Sequence, residues 1–181
     1  FGNICAGLVA QNLGMPVKHF VAATNVNDTV PEFMKTREYL PKPSTPTISN
    51  AMDVGDPSNF IRIRHLFHDD FEALSKTLSS YTFTDSETKE AMKAIYRNSN
   101  YIADPHGAVG YLGLKKYQES HPNTYGIFLE TAHPVKFLAV VEETIAEKLA
   151  IPQQIQQVMG KEKKSIKIAT YEELKEFLLD S

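Results

Sequence analysis

The sequence predicts an α/β fold, mainly because of the order of its elements. Residues 4–13 have the apolar spacing of a helix that packs on a sheet, and residues 18–23 then have the composition of a strand. Polar loops follow the strand-length runs, which is where open sheets bind ligands. Helices and strands that follow one another in this way are typical of α/β proteins. The 181 residues, 42% of them hydrophobic, suit one domain with a buried core.

Several helix ends carry explicit local signals. Gly14 provides a left-handed stop after the first helix, and Thr84 with Glu87 has the spacing of a capping box. Asp104 and Pro105 suit the cap and the first turn of another helix. Composition and periodicity predict three more elements: strands at 101–103 and 125–129, and a helix carrying Val141, Ile145 and Leu149.

The composition argues against several classes of function. With 19 Lys and Arg against 22 Asp and Glu, the net charge is -3, so we expect no basic surface for nucleic acid. No apolar run approaches the roughly 20 residues that a membrane span needs. The single cysteine, Cys5, suits a reducing setting. We therefore expect a cytoplasmic protein with no nucleic-acid and no membrane partner.

Two segments are rich in residues that avoid regular structure. Residues 24–31 are dense in short polar side chains, and Asp28 or Thr29 is expected to cap a short helix over 31–37. Residues 40–47 contain three prolines, which exclude regular structure over most of that length. We therefore predict an irregular, flexible loop at 40–48, of the kind that is often functional.

The start of the sequence and two histidines are the first candidates for a site. Phe1, Gly2 and Asn3 have the composition of the end of an anion-binding loop that leads into a helix. Because the sequence begins in the middle of that motif, we expect a piece of a larger protein. His106 and His133 lie in loops at predicted strand ends, either as site residues or as residues that orient those loops.

No metal site and no thiol nucleophile are predicted. His65 and His68 would lie on the same side of a helix, but no third ligand stands at a recognisable spacing. Cys5 has no general base nearby in the sequence. A complete glycine-rich nucleotide-binding pattern is also missing. The residues by themselves therefore indicate an α/β protein with an anion site and polar loops along one edge of a sheet.

Five blocks of sequence point to one family. They are F-G-N-I-C-A-G-L at 1–8, A-A-T-N-V-N-D-T-V-P at 22–31, S-N-A-M-D-V at 49–54, D-P-H-G-A-V-G at 104–110 and E-T-A-H-P-V-K-F at 130–137. Together, and with matching spacing, they resemble threonine synthase in its longer-chain bacterial and fungal branch. The resemblance covers residues 1 to about 150, and residues 151–181 form a generic helical tail.

The resemblance implies a pyridoxal-phosphate (PLP) enzyme with a three-layer, tryptophan-synthase-β-like architecture, PLP fold type II. The implied reaction converts O-phospho-L-homoserine and water to L-threonine and phosphate. In that family the Schiff-base Lys lies upstream of the loop matched by residues 1–3, so no catalytic residue is assigned here. We expect an incomplete fold that lacks its N-terminal half and consists mostly of the large cofactor-binding domain. We expect this chain alone to be inactive and not to bind PLP covalently.

The resemblance also implies roles for particular residues. Phe1, Gly2 and Asn3 would present backbone N–H groups to the cofactor phosphate, and Thr131 would place a hydroxyl against the pyridine nitrogen. The residues expected to contact the substrate are Asn25, Asn27, Asp28, Ser49 and Asn50. The chain departs from the family at Gly107, where relatives often have Thr or Ala, so we expect that block to serve helix packing near the site.

The expected partners are O-phospho-L-homoserine, phosphate and the missing N-terminal half of the same protein. Two other functions stay open at this point. One is another PLP lyase of the same fold type, such as a serine or threonine dehydratase or a sulfhydrylase-like enzyme. The other is a non-enzymatic fragment that binds a phosphorylated metabolite. The blocks at 22–31 and 49–54 favour threonine synthase over the first of these.

Overall fold

The computed structural model describes residues 1–180. The chain divides into two units, Phe1–Leu149 and Ala150–Ser181. The helices and strands of the first unit are α1 (Gly2–Asn12), β1 (Phe20–Thr24), α2 (Thr29–Thr36), α3 (Ser58–Leu66), α4 (Phe71–Thr77), β2 (Leu78–Thr82), α5 (Asp85–Ser99), α6 (Pro105–Ser120) and α7 (Leu138–Ile145). Two short 3₁₀ turns cover Asn50–Met52 and Pro134–Phe137. Within residues 1–180, no helix is both long enough and apolar enough to cross a membrane.

The two strands pair in parallel although they are far apart in the sequence. Phe20 lies opposite Leu78, and Thr24 lies opposite Thr82. Parallel strands cannot be joined by a tight turn, so the chain between them crosses over through α2, α3 and α4. Both strands therefore end at the same edge of the sheet, and the loops that follow them start there.

Alternate residues of β1 face two different layers of helices. Ala22 is buried in a cluster with residues of α1 to α4 and β2, and Phe20 packs against that cluster. Val21 and Ala23 face α6 instead, since a Cβ on Gly113 would lie 3.3 Å from Val21 Cγ1 and 2.6 Å from Ala23 Cβ. Side chains alternate across a strand, so the sheet lies between the two layers. The buried cluster consists of Leu8, Ala22, Val30, Phe33, Phe60, Ile63, Leu74 and Leu78.

A second apolar cluster joins α5, α6 and α7. Ala91 and Met92 of α5, Ala108 of α6 and Val141 of α7 are buried against one another. Because α6 also packs on β1, it lies between the sheet and the other two helices of this cluster. The position of α6 is thereby determined from both sides.

The predicted helix ends are largely confirmed. Both halves of the capping box between Thr84 and Glu87 are present at the start of α5. Asp104 caps α6 by accepting a hydrogen bond from the His106 N–H at 2.8 Å. Gly14 has a φ of 103°, a conformation that glycine adopts without steric cost. The prediction for α2 is confirmed only in part: Asp28 is its N-terminal boundary residue, but the side chain makes no capping hydrogen bond.

The predicted strands at 101–103 and 125–129 are wrong, because neither segment has regular structure. The second alternates as a strand would: Tyr125 and Ile127 are exposed, while the Phe128 ring packs edge-on against Tyr111 of α6 at 5.7 Å. Alternation alone does not make a strand, since a ladder needs a partner, and no other segment of residues 1–180 pairs with this one. The last predicted helix also ends early, at Ile145, because Ala146 adopts a left-handed conformation.

The C-terminal unit contains two helices, α8 (Gln153–Met159) and α9 (Tyr171–Leu179). Thr170 caps α9 by accepting a hydrogen bond from the Glu173 N–H at 3.2 Å. The Glu173 carboxylate accepts a hydrogen bond from the Ala169 N–H at 2.7 Å. No residue of either helix is buried. The cores that determine the sheet and the loops at its edge therefore consist of residues of the first unit.

Two glycines of α6 allow a test of the close approach between α6 and β1. Alanine favours a helix over glycine by roughly 1 kcal/mol, but a Cβ at Gly113 meets Ala23 at 2.6 Å. We therefore expect Gly113→Ala to lower the free energy of unfolding by roughly 1–2 kcal/mol, since overpacking outweighs the helix gain. Urea denaturation measures the change.

Gly110→Ala is the matched control for this substitution. A Cβ at Gly110 would lie 3.7 Å from Phe128 Cβ, an ordinary contact distance. The same helix gain then remains without a clash, so stability should stay unchanged or rise by up to roughly 1 kcal/mol. Equal stabilisation by both substitutions would contradict the packing of α6 on the sheet.

Candidate functional site

A cleft of about 230 Å³ lies at the carboxyl end of β1. Its walls come from the start of α1, from the end of β1 with the loop that follows, and from the irregular segment before α3 together with the first two residues of α3. This is the place where open α/β sheets bind ligands. The lining residues are Phe1, Ile4, Ala22, Ala23, Thr24, Asn27, Ala51, Met52, Val54, Pro57, Ser58 and Asn59.

The three predicted phosphate-loop residues lie at the start of α1. The Phe1 side chain lines the cleft and packs edge-on against the buried Phe60 ring at 5.7 Å. Gly2 is the first residue of α1, and a Cβ there would lie 3.5 Å from Asn59 Nδ2. Asn3 is exposed. No side chain of residues 1–180 caps this helix, so its first N–H groups have no side-chain acceptor.

Asn25 is the centre of a buried hydrogen-bond network next to the cleft. Its side chain is 1% exposed, and its Nδ2 lies 2.8 Å from Thr47 Oγ1, 3.1 Å from Ser49 Oγ and 2.9 Å from Asp53 Oδ1. Its Oδ1 accepts hydrogen bonds from the backbone and side-chain N–H groups of Asn27 at 3.0 and 2.9 Å. The side chain of Asn25 thus joins the loop after β1 to the irregular segment.

Asp53 is the acceptor that holds this network together. Its Oδ1 lies within hydrogen-bond distance of Asn25, Asn27 and the Thr47 hydroxyl, at 2.9, 3.1 and 2.7 Å. Its Oδ2 accepts from the Thr47 N–H at 2.9 Å. Asp53 is not among the predicted site residues, although it lies inside the S-N-A-M-D-V block. A carboxylate is an acceptor only, so it can serve four donors that lie on two different segments.

The remaining predicted substrate residues occupy different positions around the network. Asn27 lines the cleft, and its Oδ1 accepts from the Thr45 N–H at 2.7 Å. Ser49 is fully buried and does not line the cleft, and Asn50 is exposed at the start of a 3₁₀ turn. Asp28 pairs with Lys42 at 2.7 Å. Four of the five residues, Asn50 excepted, therefore make side-chain contacts that tie the polar loop to segment 42–53.

His106 connects the cleft wall to the start of α6. Its Nε2 accepts a hydrogen bond from the N–H of Ala51, a lining residue, at 3.1 Å. Its Nδ1 lies 2.7 Å from Asp104 Oδ1. Since Nε2 is an acceptor, the ring proton is on Nδ1 and is donated to Asp104. The ring also packs against Phe137 with the ring centroids 4.6 Å apart. His106 therefore orients two loops, which is one of the two roles predicted for it.

Thr131 lies in an exposed position next to a half-buried carboxyl group. Its neighbour Glu130 lies against the first turn of α6, where burial, and then the adjacent carboxyl group of Asp104, raise the pKa of Glu130 to about 8. Burial alone would raise the pKa of Asp104, but the hydrogen bonds from His106, together with the adjacent Glu130 carboxyl group, hold it below its usual value. His133 accepts a hydrogen bond from the Val135 N–H at 3.1 Å and caps the next 3₁₀ turn.

The cleft contains short polar groups but no obvious nucleophile. Among its lining residues there is no Lys and no Cys. Within residues 1–180, no group of three or more His, Cys, Asp or Glu side chains is arranged to hold a metal ion. In the described part of the chain, the cleft is therefore equipped to bind and orient a ligand through backbone N–H groups and neutral side chains.

Comparison with known proteins identifies relatives of the chain. Residues 107–178 match the family model "Threonine synthase, C-terminal". The chain is 42% identical to threonine synthase of Escherichia coli K12 over 155 residues, which covers 86% of the chain and 35% of that protein. It is 39% identical to threonine synthase of Buchnera aphidicola (subsp. Acyrthosiphon pisum), over 99% of the chain and 41% of that protein. The chain thus spans about two-fifths of the length of these relatives.

Solved structures of threonine synthases have the same fold over nearly the whole chain. The crystal structure from E. coli superimposes with a TM-score of 0.86 and 38% identity, covering 99% of the chain and 41% of that protein. The yeast structure gives 0.79 and 27%, with 99% and 45% covered. A PLP-bound threonine synthase from Brucella melitensis gives 0.78 at 24% identity, with 98% and 43% covered, which supports the fold alone. The predicted α/β fold class and the family resemblance are confirmed.

The Asp53 network gives a prediction about the order of the irregular segment. In Asp53→Asn, one of the two side-chain oxygens becomes an NH₂ group that faces donors. We expect the free energy of unfolding to fall by roughly 2 kcal/mol, because buried donors lose their acceptor. We also expect faster amide hydrogen exchange at Thr47, whose N–H donates to Asp53.

Asp56→Asn is the control for this effect. Asp56 is exposed and accepts one hydrogen bond, from the Tyr39 hydroxyl at 2.7 Å, which an amide oxygen can also accept. Little change in stability or exchange is expected there. Equal effects of the two substitutions would show that Asp53 does not organise the segment.

Proposed function

Because the chain is homologous to the C-terminal region of threonine synthases, we propose that its first unit forms part of the active site of such an enzyme. The proposed reaction converts O-phospho-L-homoserine and water to L-threonine and phosphate, with PLP as cofactor. The observation that carries the proposal is the cleft at the end of β1, where the start of α1 meets the polar network around Asn25 and Asp53. The sequence blocks that resemble the family include these residues.

The start of α1 has the chemistry to hold the cofactor phosphate. A phosphate dianion needs N–H donors and benefits from the positive end of a helix dipole. Phe1 and Gly2 bring that helix end to the cleft, and no side chain of residues 1–180 occupies its N–H groups. Asn3 belongs to the same proposed loop. Ser58 and Asn59 add a hydroxyl and an amide on the facing wall.

Thr131 is proposed as the partner of the pyridine nitrogen. When bound, PLP withdraws electrons from the carbon next to the substrate amino group. A neutral hydroxyl next to the ring nitrogen leaves it largely unprotonated, whereas a carboxylate would hold it charged. Thr131 is exposed in the described chain, so its hydroxyl is accessible to such a ligand.

The polar loop after β1 is proposed to bind the substrate. O-phospho-L-homoserine carries a phosphate and an amino-acid group, both of which suit short amide and hydroxyl side chains. Asn27 lies in the cleft wall, while Asn25 and Ser49 support it from within the buried network. Asp28, in the loop after β1, and Asn50, next to Ser49, are the other two residues proposed to contact the substrate. Their role is to bind and orient the substrate, not to transfer protons.

The 181-residue chain by itself is predicted to be catalytically silent. No Lys lines the cleft in the described residues, so no lysine amine is in place to attach the cofactor covalently or to move the substrate proton. PLP added to the purified chain should produce no absorbance band of lysine-linked cofactor. Incubation with O-phospho-L-homoserine should release no phosphate.

Complete E. coli threonine synthase is the positive control for both measurements. A full-strength band or full phosphate release from the 181-residue chain would contradict the prediction. Serine, threonine and O-acetylserine in parallel reactions of the complete protein distinguish a dehydratase or sulfhydrylase from a threonine synthase. Turnover of one of these, in place of phosphohomoserine, would contradict the proposed substrate.

A second prediction concerns the Thr131 hydroxyl in the complete protein that carries this chain. Thr131→Val keeps the shape of the side chain but removes the donor, so kcat should fall roughly 10- to 100-fold. Thr131→Ser keeps the hydroxyl and should retain most of the activity. Steady-state phosphate release measures both variants.

Thr124→Val is the matched control for Thr131→Val. Thr124 is exposed on another segment, where its hydroxyl donates to the His121 carbonyl at 2.7 Å. Its substitution should leave kcat unchanged. If Thr131→Val were as active as Thr124→Val, the proposed contact with the cofactor would be wrong.

A further inference from the structure

Two buried carboxyl oxygens at the start of α6 have no hydrogen-bond donor within residues 1–180. They are Asp104 Oδ2 and Glu130 Oε1. The Asp104 side chain is completely buried. Its other oxygen, Oδ1, accepts from the N–H of His106 at 2.8 Å and from the His106 ring at 2.7 Å. A buried acceptor without a donor lowers the free energy of unfolding, and native proteins contain few such groups.

Gly107 makes the room that brings Glu130 to this position. A Cβ on Gly107 would lie 1.9 Å from Glu130 Oε1 and 2.4 Å from Glu130 Oε2. The carboxyl group of Glu130 therefore occupies the space that any other residue at position 107 would fill with its side chain. Because Gly107 has no side chain, the Glu130 carboxyl group can contact the first turn of α6 there, next to the cap residue Asp104.

Two carboxylates in such a buried position cannot both be charged without a large penalty. One proton removes the penalty and also satisfies both free oxygens, because a protonated carboxyl is a donor. We propose that Asp104 and Glu130 form a buried acid–carboxylate pair in which Glu130 donates its proton to Asp104, and that this pair holds the 130–134 loop on the start of α6.

The proton belongs to Glu130 because Asp104 already has two other donors. The His106 N–H and the protonated Nδ1 both stabilise a negative Asp104. The raised pKa of Glu130 and the lowered pKa of Asp104 agree with this assignment. Tyr101 also faces the pair, and its pKa is raised by burial and then by the charges of Glu130 and Asp104.

The pair has a consequence for the site that rests on the proposed function. Thr131 follows Glu130 directly, so the position of its hydroxyl depends on how firmly Glu130 is held. His106 connects the same pair to Ala51 in the cleft wall. When Glu130 loses its proton, two negative charges lie side by side, and the loop is pushed away from α6. Glu130, Asp104 and Gly107 are therefore positioning residues for Thr131.

The first experiment measures the proton without using PLP. The infrared C=O band of a protonated carboxylic acid is recorded in the complete protein that carries this chain, as the pH rises through about 8. We expect a band that disappears over this range and is missing in Glu130→Gln. Exposed Glu147 provides the control, and Glu147→Gln should keep the band. A band that is unchanged in Glu130→Gln, or no band at all, would overturn the pair.

The pH dependence of stability gives a second readout with a definite sign. The pKa of Glu130 is raised in the folded protein from its usual 4.5 to about 8. The folded state therefore holds a proton that the unfolded state releases, and stability falls as the pH rises from about 4.5 to about 8. In Glu130→Gln the amide donates at every pH, so this fall should be lost. An identical fall in both proteins would contradict the proposal.

The third measurement connects the pair to Thr131. In the complete PLP-bound protein, kcat for phosphate release should decline as the pH rises through about 8, and Glu130→Gln should lack this decline relative to its own value at lower pH. Gly107→Ala displaces Glu130 and should lower kcat roughly 10- to 100-fold, whereas Gly110→Ala, with an ordinary contact to Phe128, should behave as the wild type. Equal activity of the two alanine variants would refute the positioning role.

Failure of the proposed function is distinguishable from failure of this inference. A complete protein that neither binds PLP nor releases phosphate would disprove the proposed function. The infrared band and the stability profile would still decide whether Asp104 and Glu130 share a proton. Conversely, an active enzyme without the band would keep the function and reject the pair.

Discussion

The parallel pairing of β1 with β2 is the constraint on which the rest of this structure depends. It forces the chain between the strands to cross over, so that α2, α3 and α4 build one layer while α6 covers the other face. It also brings the loops after both strands to one edge. The Phe83 N–H donates to the Thr24 carbonyl at 2.9 Å, which extends the pairing beyond the strands. The cleft lies where the chain leaves this pairing at the end of β1.

Side-chain hydrogen bonds replace secondary structure in the segment that follows. Residues 40–57 contain only one short 3₁₀ turn. Side chains that follow β1 and β2 nevertheless accept hydrogen bonds from the backbone of this segment. Asn27 and Asp53 accept from the N–H groups of Thr45 and Thr47, and the Asp85 carboxylate after β2 accepts from the Ile48 N–H at 3.3 Å. Buried backbone groups must find partners of this kind when no ladder or helix supplies them. The polar residues of this segment therefore shape the cleft as well as line it.

The proposed site involves two loops, of which the first lines the cleft. One follows β1 and carries Asn25 and Asn27, and the other carries Glu130 and Thr131 and is held at the start of α6. His106 connects the cleft wall to the start of α6, since it contacts Ala51 and Asp104 at the same time. The homologous threonine synthases contain this region as about two-fifths of their length. In our proposal it contributes binding and orientation, while the reactive amine belongs to another part of the enzyme.

The sequence alone determined those features that depend on neighbouring residues. The capping box of α5, the Asp104 cap of α6 and the first helix and strand all follow from local hydrogen bonds and periodicity. The family was also recognisable, because its blocks are short, specific and correctly spaced. The strand predicted at 125–129 failed for the opposite reason: its alternation is present, but pairing is decided by a partner that residues 1–180 do not supply. The sequence also did not predict the role of Asp53 or the contact between Asp104 and Glu130. Both depend on donors and charges that are distant in the sequence and that only tertiary packing brings together.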